Sequence, residues 1–324
     1  RPGDIASYTD SSLPLVCIDK CRNVAHNMAL PSVMSLIITA SSWDRCAFVI
    51  VSVECNTWTA AHFLPDLHGK PGKPYRKYPD QILGIKLPDG TLAPRVVESN
   101  FTVRGAAESI MACCAHGGFG ICETPACRRE GFEDYTPGCE EHTYMYDHPA
   151  MMVMAEATDA EVFVYDQCMK HDEPSTLKEV GKKATALLAT GRVKPYVKAE
   201  FGGLRCTHPH GTHKPLKGAD RSGTYHTRGS EAYSSGTCEG IAKCCKAAID
   251  KTDRMSFAAR TAAFVMQWET VDVRYAVNAC ADFALVAGVL HGKRLPKNSV
   301  DGKFFHRIGN HTEDRTLKHM KEAW

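Results

Sequence analysis

The sequence lacks the features that mark membrane-spanning, disordered and nucleic-acid-binding chains. No apolar run reaches the roughly 18 residues that a transmembrane helix needs. There is no repeat or low-complexity tract, and the composition, 44% hydrophobic and 23% charged, is typical of a folded globular protein. The formal net charge is only +2 at pH 7, so the overall field recruits neither nucleic acid nor anionic lipid. We therefore expect a small-molecule substrate, no nucleic-acid or membrane partner, and a possible homo-oligomer.

Nucleotide-binding motifs are absent as well. The chain contains no Walker sequence, and no Gly-x-Gly-x-x-Gly follows a predicted strand. The glycine-rich stretch Gly117–Gly120 follows a predicted helix instead. These absences disfavour a nucleotide or dinucleotide cofactor.

The fifteen cysteines do not form the pattern of a compact disulfide framework. Their number is odd, they are spread over a large chain, and two pairs are adjacent in sequence. We therefore expect mostly reduced thiols and a cytoplasmic location. Two N-glycosylation triplets, beginning at Asn100 and Asn310, point the other way and leave a secreted protein as the alternative.

Apolar runs, turn residues and capping patterns predict an α/β fold with a mainly parallel or mixed sheet flanked by helices. We expect a single domain over residues 1–324, with residues 113–148 inserted as a Cys/His-rich loop subdomain. Runs that are apolar on both faces are typical of buried strands, and a Thr-x-x-Glu capping box at Thr176 opens a helix. Strands are predicted at 36–38, 47–53, 161–166 and around 195–197. Helices are predicted over 103–115, 176–188, 237–249, 256–268 and 276–290.

A histidine-rich run at residues 207–213 carries the clearest chemical signal in the chain. In an extended segment His208 and His210 point to the same side, because side chains alternate with a period of two. A bend at Gly211 can bring His213 round as a third ligand. We therefore predict that these three histidines bind zinc or another divalent transition metal. A surface loop whose histidines hydrogen-bond to water is the alternative.

The spacing His-x-His-x-Thr-His in this run resembles the His-x-His-x-Asp-His signature of the metallo-β-lactamase superfamily over seven residues. The resemblance implies that His208, His210 and His213 would bind a pair of zinc or iron ions. The aspartate that holds the second ion in that family is Thr212 here, and the run lies outside the N-terminal third, where the family usually has it. No family assignment follows from the run.

Two carboxylates follow predicted strands and are candidates for the same site. Asp166 ends the strand 161–166, and Glu54 follows the strand 47–53. Strand ends are where an α/β fold presents its functional groups, so we expect either acid to complete the metal site or to transfer protons. Asp166 fits this role best. The alternative for each is a solvated acid at the end of a strand.

A second cluster has the spacing Cys-x4-Cys-x11-Cys-x2-His and comprises Cys122, Cys127, Cys139 and His142. Four ligands of borderline softness in two pairs are what a tetrahedral structural zinc requires. The prolines and glycines between them predict a loop that would gain order from a metal. The alternative is a set of reduced cysteines in a partly buried loop.

Cys238 is a candidate nucleophile, because it stands near the start of a predicted helix. The positive end of a helix dipole lowers the pKa of a thiol, and His226 would be its base. The segment 238–242 resembles the nucleophile helix of acyl-transferring condensing enzymes, without their partner motifs. The alternative is a cysteine that packs as a small apolar side chain.

The proline-rich loop at 65–79 carries cations interleaved with tyrosines. Lys70, Lys73 and Arg76 are predicted to bind a phosphate or carboxylate group of a substrate. A solvated loop is the alternative.

Taken together, the patterns predict a metal-dependent hydrolase acting on a small polar or anionic substrate through metal-activated water. A thiol-dependent acyl-transfer enzyme using Cys238 and a zinc-stabilised binding protein are the alternatives.

Overall fold

The structure is a computed structural model that describes residues 27–43, 46–65, 71–170, 182–209, 212–213 and 233–249. The chain divides into two compact units, residues 1–10 with 38–251 and residues 11–37 with 252–324. The sheet and the site discussed below belong to the first unit. The predicted helices at 256–268 and 276–290 lie outside the described residues, and the prediction of one domain over 1–324 stays a prediction.

A mixed four-stranded sheet forms the centre of the described chain, in the order β1-β2-β4-β3. Its strands are β1 (Phe48–Ser52), β2 (Phe119–Pro125), β3 (Glu161–Asp166) and β4 (Ala184–Ala189). β1 and β2 are parallel, whereas β4 runs antiparallel to both β2 and β3. The sheet is accompanied by helices, so the α/β fold with a mixed sheet is confirmed.

The described residues form five α-helices: α1 (Pro31–Ser41), α2 (Pro94–Ala115), α3 (Pro149–Ala157), α4 (Lys194–Phe201) and α5 (Ser235–Ala248). α2 packs on β1, β2 and α3, and α4 packs on β3 and α5. A side chain at Gly120 of β2 would place its Cβ 2.5 Å from Ile110 Cγ2, so a glycine is what lets α2 lie directly on the sheet. None of the described helices is both long and apolar enough to span a membrane.

Several local predictions need correction. The segment 36–38 lies in α1 and the segment 195–197 lies in α4, although both are predicted as strands. Pro31 and Pro195 stand in the first turns of these helices, where the missing backbone N–H removes no helical hydrogen bond. The helix predicted over 103–115 begins earlier, at Pro94, and ends as predicted before Gly117, whose φ is 79°.

The region after Gly118 differs most from its prediction. Residues 113–148 are predicted as a loop, yet they contain β2, which is buried from Phe119 to Thr124 between two neighbouring strands. The helix predicted over 176–188 is replaced at its end by β4, all six residues of which are buried. Residues 171–181 are not described. β2 and β4 each pair with a neighbouring strand on both sides, and this pairing determines that both segments are strands.

Candidate metal centre

The carboxyl ends of β1, β2 and β3 lie at the same edge of the sheet. Ser52 pairs with Glu123, and Asp166 pairs with Ala184 at the start of β4. Asp166 leads directly into a short 3-10 turn, Gln167–Lys170. Side chains that follow β3 therefore lie at the edge where an α/β sheet usually presents its functional groups.

Four potential metal ligands meet at this edge: Cys168, Cys206, His208 and His213. Their sulfur and imidazole nitrogen atoms all lie within 4.8 Å of one another. Cys206 Sγ is 3.3 Å from His208 Nδ1 and 3.1 Å from His213 Nε2. A tetrahedral zinc ion, with Zn–S near 2.3 Å and Zn–N near 2.0–2.1 Å, places its ligand atoms about 3.3–3.8 Å apart. The cluster thus has a donor set and a spacing that could hold a metal ion.

The backbone explains how these four side chains meet. Cys168 lies in the 3-10 turn after β3, and the other three lie in the segment that follows α4. That segment turns back at Gly203, whose φ is 71°, and the carbonyl of Leu204 accepts a hydrogen bond of 2.9 Å from the amide of Asp166. Cys206 and His208 are two positions apart in this segment, and their side chains contact each other.

Asp166 supports the cluster without belonging to it. Its carboxylate is 1% exposed, and Oδ2 accepts a hydrogen bond of 2.8 Å from the amide of Cys206. Lys182 Nζ lies 3.5 Å from Oδ2, and Arg205 Nη1 lies 3.9 Å from Oδ1. The predicted carboxylate is therefore next to the site, where it orients the backbone of one ligand.

Two further contacts describe the surroundings of the cluster. Arg205 Nη2 donates to Glu133 and to Asp134, at 2.6 and 2.8 Å, and so connects the segment that carries Cys206 and His208 to a neighbouring loop.

Burial, and then the adjacent Cys206 thiol, raise the pKa of Cys168 to about 12. A metal ion that binds here must therefore displace a proton from Cys168.

A separate buried carboxylate, Glu123, lies at the same edge on β2 and was missed from the sequence. Its Oε2 accepts hydrogen bonds from Ser52 Oγ at 2.9 Å and from Tyr233 OH at 2.8 Å, and Lys183 Nζ lies 3.8 Å from Oε1. These contacts connect β1 and β2 with the segments before β4 and α5. We interpret Glu123 as a residue that holds this edge together.

The predicted zinc cluster at 122–142 needs correction. All four of its residues are described, and no three of them converge as metal ligands. Both ring nitrogens of His142 are engaged, because Nδ1 accepts from Arg128 N at 3.1 Å and Nε2 donates to Trp58 O at 2.9 Å. Burial lowers the pKa of His142 to about 4, so it is a neutral structural group at pH 7.

The three cysteines of that prediction are likewise placed as buried side chains. Cys122 is inside β2, Cys127 Sγ lies 3.9 Å from His142 Nδ1, and Cys139 Sγ lies 3.9 Å from Ala60 O. Burial is the main cause that raises the pKa of each thiol. The alternative of reduced cysteines in a buried region describes them better than zinc ligation.

The environment of Cys238 differs from the predicted one. It is the fourth residue of α5 and fully buried, and its amide donates to Ser234 O at 3.1 Å. Burial raises the pKa of this thiol to about 11, which outweighs the helix dipole that was expected to lower it. His226, its predicted base, lies outside the described residues.

Arg76, predicted to bind substrate, is a buried structural residue. It is 1% exposed, and its guanidinium carbon lies 3.6 Å from the centre of the Trp58 ring. It donates to Thr57 Oγ1, Ile82 O and Asn100 Oδ1, at 3.1–3.2, 2.8 and 2.7 Å. Burial lowers its pKa to about 9. The guanidinium of Arg76 therefore already donates to protein acceptors, and the residue does not fit the predicted role of binding a phosphate or carboxylate group of a substrate.

The remaining predicted residues do not converge on the cluster in the described chain. Lys73 is exposed, whereas Lys70 and His210 lie outside the described residues. Glu54 is exposed and accepts a hydrogen bond from Asn56 Nδ2. It follows β1, at the opposite side of the sheet from β3, so three strand spacings separate the two strands by roughly 14 Å.

Two of the four potential ligands, Cys168 and Cys206, are not among the metal ligands predicted from the sequence. Cys206 has a detectable signal in the sequence, because a thiol and an imidazole two positions apart would lie on one side of an extended segment.

Comparisons with protein-family models, curated proteins and solved structures gave no match to this chain. The chemistry must therefore be argued from the cluster alone.

Proposed function

We propose that this chain binds one zinc ion through Cys168, Cys206, His208 and His213, and that the ion is structural. The observation that supports this is the approach of four ligand atoms to within 4.8 Å of one another. Two thiolates and two imidazoles suit zinc better than magnesium or calcium, which prefer oxygen ligands. Bound there, the ion would fasten the segment after α4 to the end of β3.

The number of protein ligands distinguishes a structural ion from a catalytic one. Catalytic zinc usually has three protein ligands and an open position for water, whereas structural zinc has four. The hydrolase predicted from the histidine run would need one of the four side chains to give way to water. Asp166, its expected proton carrier, already accepts a hydrogen bond from Cys206 N and lies near two cations. The four-ligand cluster therefore favours the structural role.

Metal content in matched cysteine variants tests the proposal. The purified chain should contain one equivalent of zinc, and Cys206→Ser should lose most of it together with several degrees of melting temperature. Cys127→Ser is the matched control, because Cys127 is buried but has no place in the cluster. It should keep the full stoichiometry. Full zinc content in Cys206→Ser would overturn the proposal.

A further inference from the structure

A second pair of thiols lies away from the metal centre and plays no part in it. Cys46 lies just before β1, and Cys113 lies in the last turn of α2. Their sulfur atoms are 3.9 Å apart. Cys113 is buried, whereas Cys46 is half-buried and is therefore the more exposed residue of the pair.

The fold holds this pair in place through the turn that connects α2 with β2. The amide of Gly118 donates to Cys113 O at 3.0 Å, and the amide of Phe119 donates to Ala47 O at 3.1 Å. A Cβ at Gly118 would lie 2.4 Å from Cys113 Sγ and 2.8 Å from Cys46 O. A glycine here therefore leaves the space in which the two cysteines approach each other.

The contact gives the two thiols different reactivity. The hydrogen bond that Cys113 donates to Cys46 Sγ lowers the pKa of Cys46 and raises that of Cys113. A thiolate is the nucleophilic form of cysteine, and it forms first at the more accessible sulfur. The buried thiol keeps its proton and stands within reach of its partner.

We propose that Cys46 is a peroxide-reactive site and that Cys113 is its resolving thiol, so that oxidation closes a reversible disulfide between them. The Cys46 thiolate attacks one oxygen of hydrogen peroxide, the O–O bond breaks, and the leaving hydroxide takes up a proton to become water. Cys113 sulfur then bonds to the sulfur of the Cys46 sulfenic acid. The S–O bond breaks, and the hydroxyl leaves as water with the proton of Cys113. The two thiols lose two electrons, which the peroxide gains.

The required movement is small. A disulfide has an S–S distance of about 2.05 Å, so the two sulfur atoms, now 3.9 Å apart, must approach each other by roughly 1.9 Å. Adjacent Cys114 is a natural control, because its Sγ contacts Thr190 Oγ1 at 3.1 Å instead of Cys46.

Peptide mapping tests the proposal. The purified chain is treated with hydrogen peroxide, free thiols are alkylated, and a digest without reductant is analysed by mass spectrometry. We expect a linked peptide that joins Cys46 to Cys113 and disappears on reduction. Cys114→Ser should keep the link. Cys113→Ser, whose hydroxyl can still donate to Cys46 Sγ, should lose it and accumulate a dimedone-reactive sulfenic acid at Cys46.

Three results would overturn the proposal: no link in the natural chain after peroxide treatment, a link from Cys46 to Cys114 instead, or oxidation of Cys168 and Cys206 while Cys46 stays reduced. Fragmentation of the linked peptide from the natural chain distinguishes Cys113 from Cys114, so the test does not depend on the folding of a variant. Because these cysteines are separate from the metal ligands, the result is independent of the zinc proposal.

Discussion

Replacing Asp166 by alanine should weaken zinc binding although Asp166 is not a ligand. In the structure its Oδ2 accepts the amide hydrogen of Cys206 at 2.8 Å, so it fixes the backbone of one ligand. In Asp166→Ala the amide of Cys206 loses this hydrogen-bond acceptor. The ion would then have to order the Cys206 segment itself on binding.

The expected size of the effect follows from the lost hydrogen bond. A hydrogen bond to a charged group contributes about 1.5–3 kcal/mol net, and each 1.4 kcal/mol corresponds to a tenfold change in an equilibrium constant. Asp166→Ala should therefore raise the zinc dissociation constant by roughly 10- to 100-fold, the range typical of groups that orient metal ligands.

Competition with a chromophoric chelator measures this constant, and circular dichroism verifies that the variant is folded. Asp166→Asn is the matched control, since an amide oxygen can accept the same hydrogen bond; because that bond is neutral, its dissociation constant should rise, but less than that of Asp166→Ala. If Asp166→Ala binds zinc as tightly as the natural chain, the orienting role assigned to Asp166 is wrong. If Asp166→Asn abolishes a zinc-dependent hydrolysis without changing affinity, the hydrolase prediction is favoured instead.

Three further outcomes follow from buried side chains outside the metal centre. Arg76→Met should lower the free energy of unfolding by about 2–4 kcal/mol, because buried acceptors lose their donor, whereas exposed Lys73→Met should have little effect in the same urea titration. Burial lowers the pKa of His142 and His148 from 6.5 to about 4, so the unfolded chain takes up protons first as the pH falls. Unfolding free energy, measured in Cys206→Ser to remove the metal, should therefore decrease between pH 6.5 and about 4, by up to about 3 kcal/mol for each histidine; a pH-independent value would contradict this. Cys238, with its pKa raised from 9.0 to about 11, should react with iodoacetamide at pH 8 at least about a hundredfold more slowly than a free thiol, and preferential labelling of Cys238 in the native chain would favour the thiol enzyme.

Local sequence pattern predicts the fold best where it agrees with long-range packing. β3 occupies the predicted residues 161–166, and β1 lies within the apolar run 47–53. β4 has the sequence Ala-Thr-Ala-Leu-Leu-Ala, whose alanines and leucines favour a helix locally. It is a strand because β2 and β3 flank it on both sides, and no pattern within six residues encodes those neighbours.

The candidate site shows the same division. His208 and His213 could be proposed from their spacing alone, and Cys206 could have been added because it alternates with His208. Cys168 could not, since the two hydrogen bonds that bring its turn beside the ligand segment, Asp166 N to Leu204 O and Cys206 N to Asp166 Oδ2, join residues far apart in the sequence. The zinc cluster predicted at 122–142 has ligand-like spacing in the sequence, but its residues do not meet as ligands. One of its cysteines lies in a buried strand, and both ring nitrogens of its histidine are already engaged in hydrogen bonds.

X-ray absorption spectroscopy at the zinc edge tests the central claim most directly, because it reports which atoms surround the ion. The four-ligand cluster predicts two sulfur atoms at about 2.3 Å and two nitrogen atoms at about 2.0–2.1 Å, with no water in the shell. Cys168→Ser and Cys206→Ser should each remove one sulfur from any zinc that remains bound. A shell of nitrogen and oxygen alone, or one that contains water beside three protein ligands, would contradict a structural zinc held by Cys168, Cys206, His208 and His213.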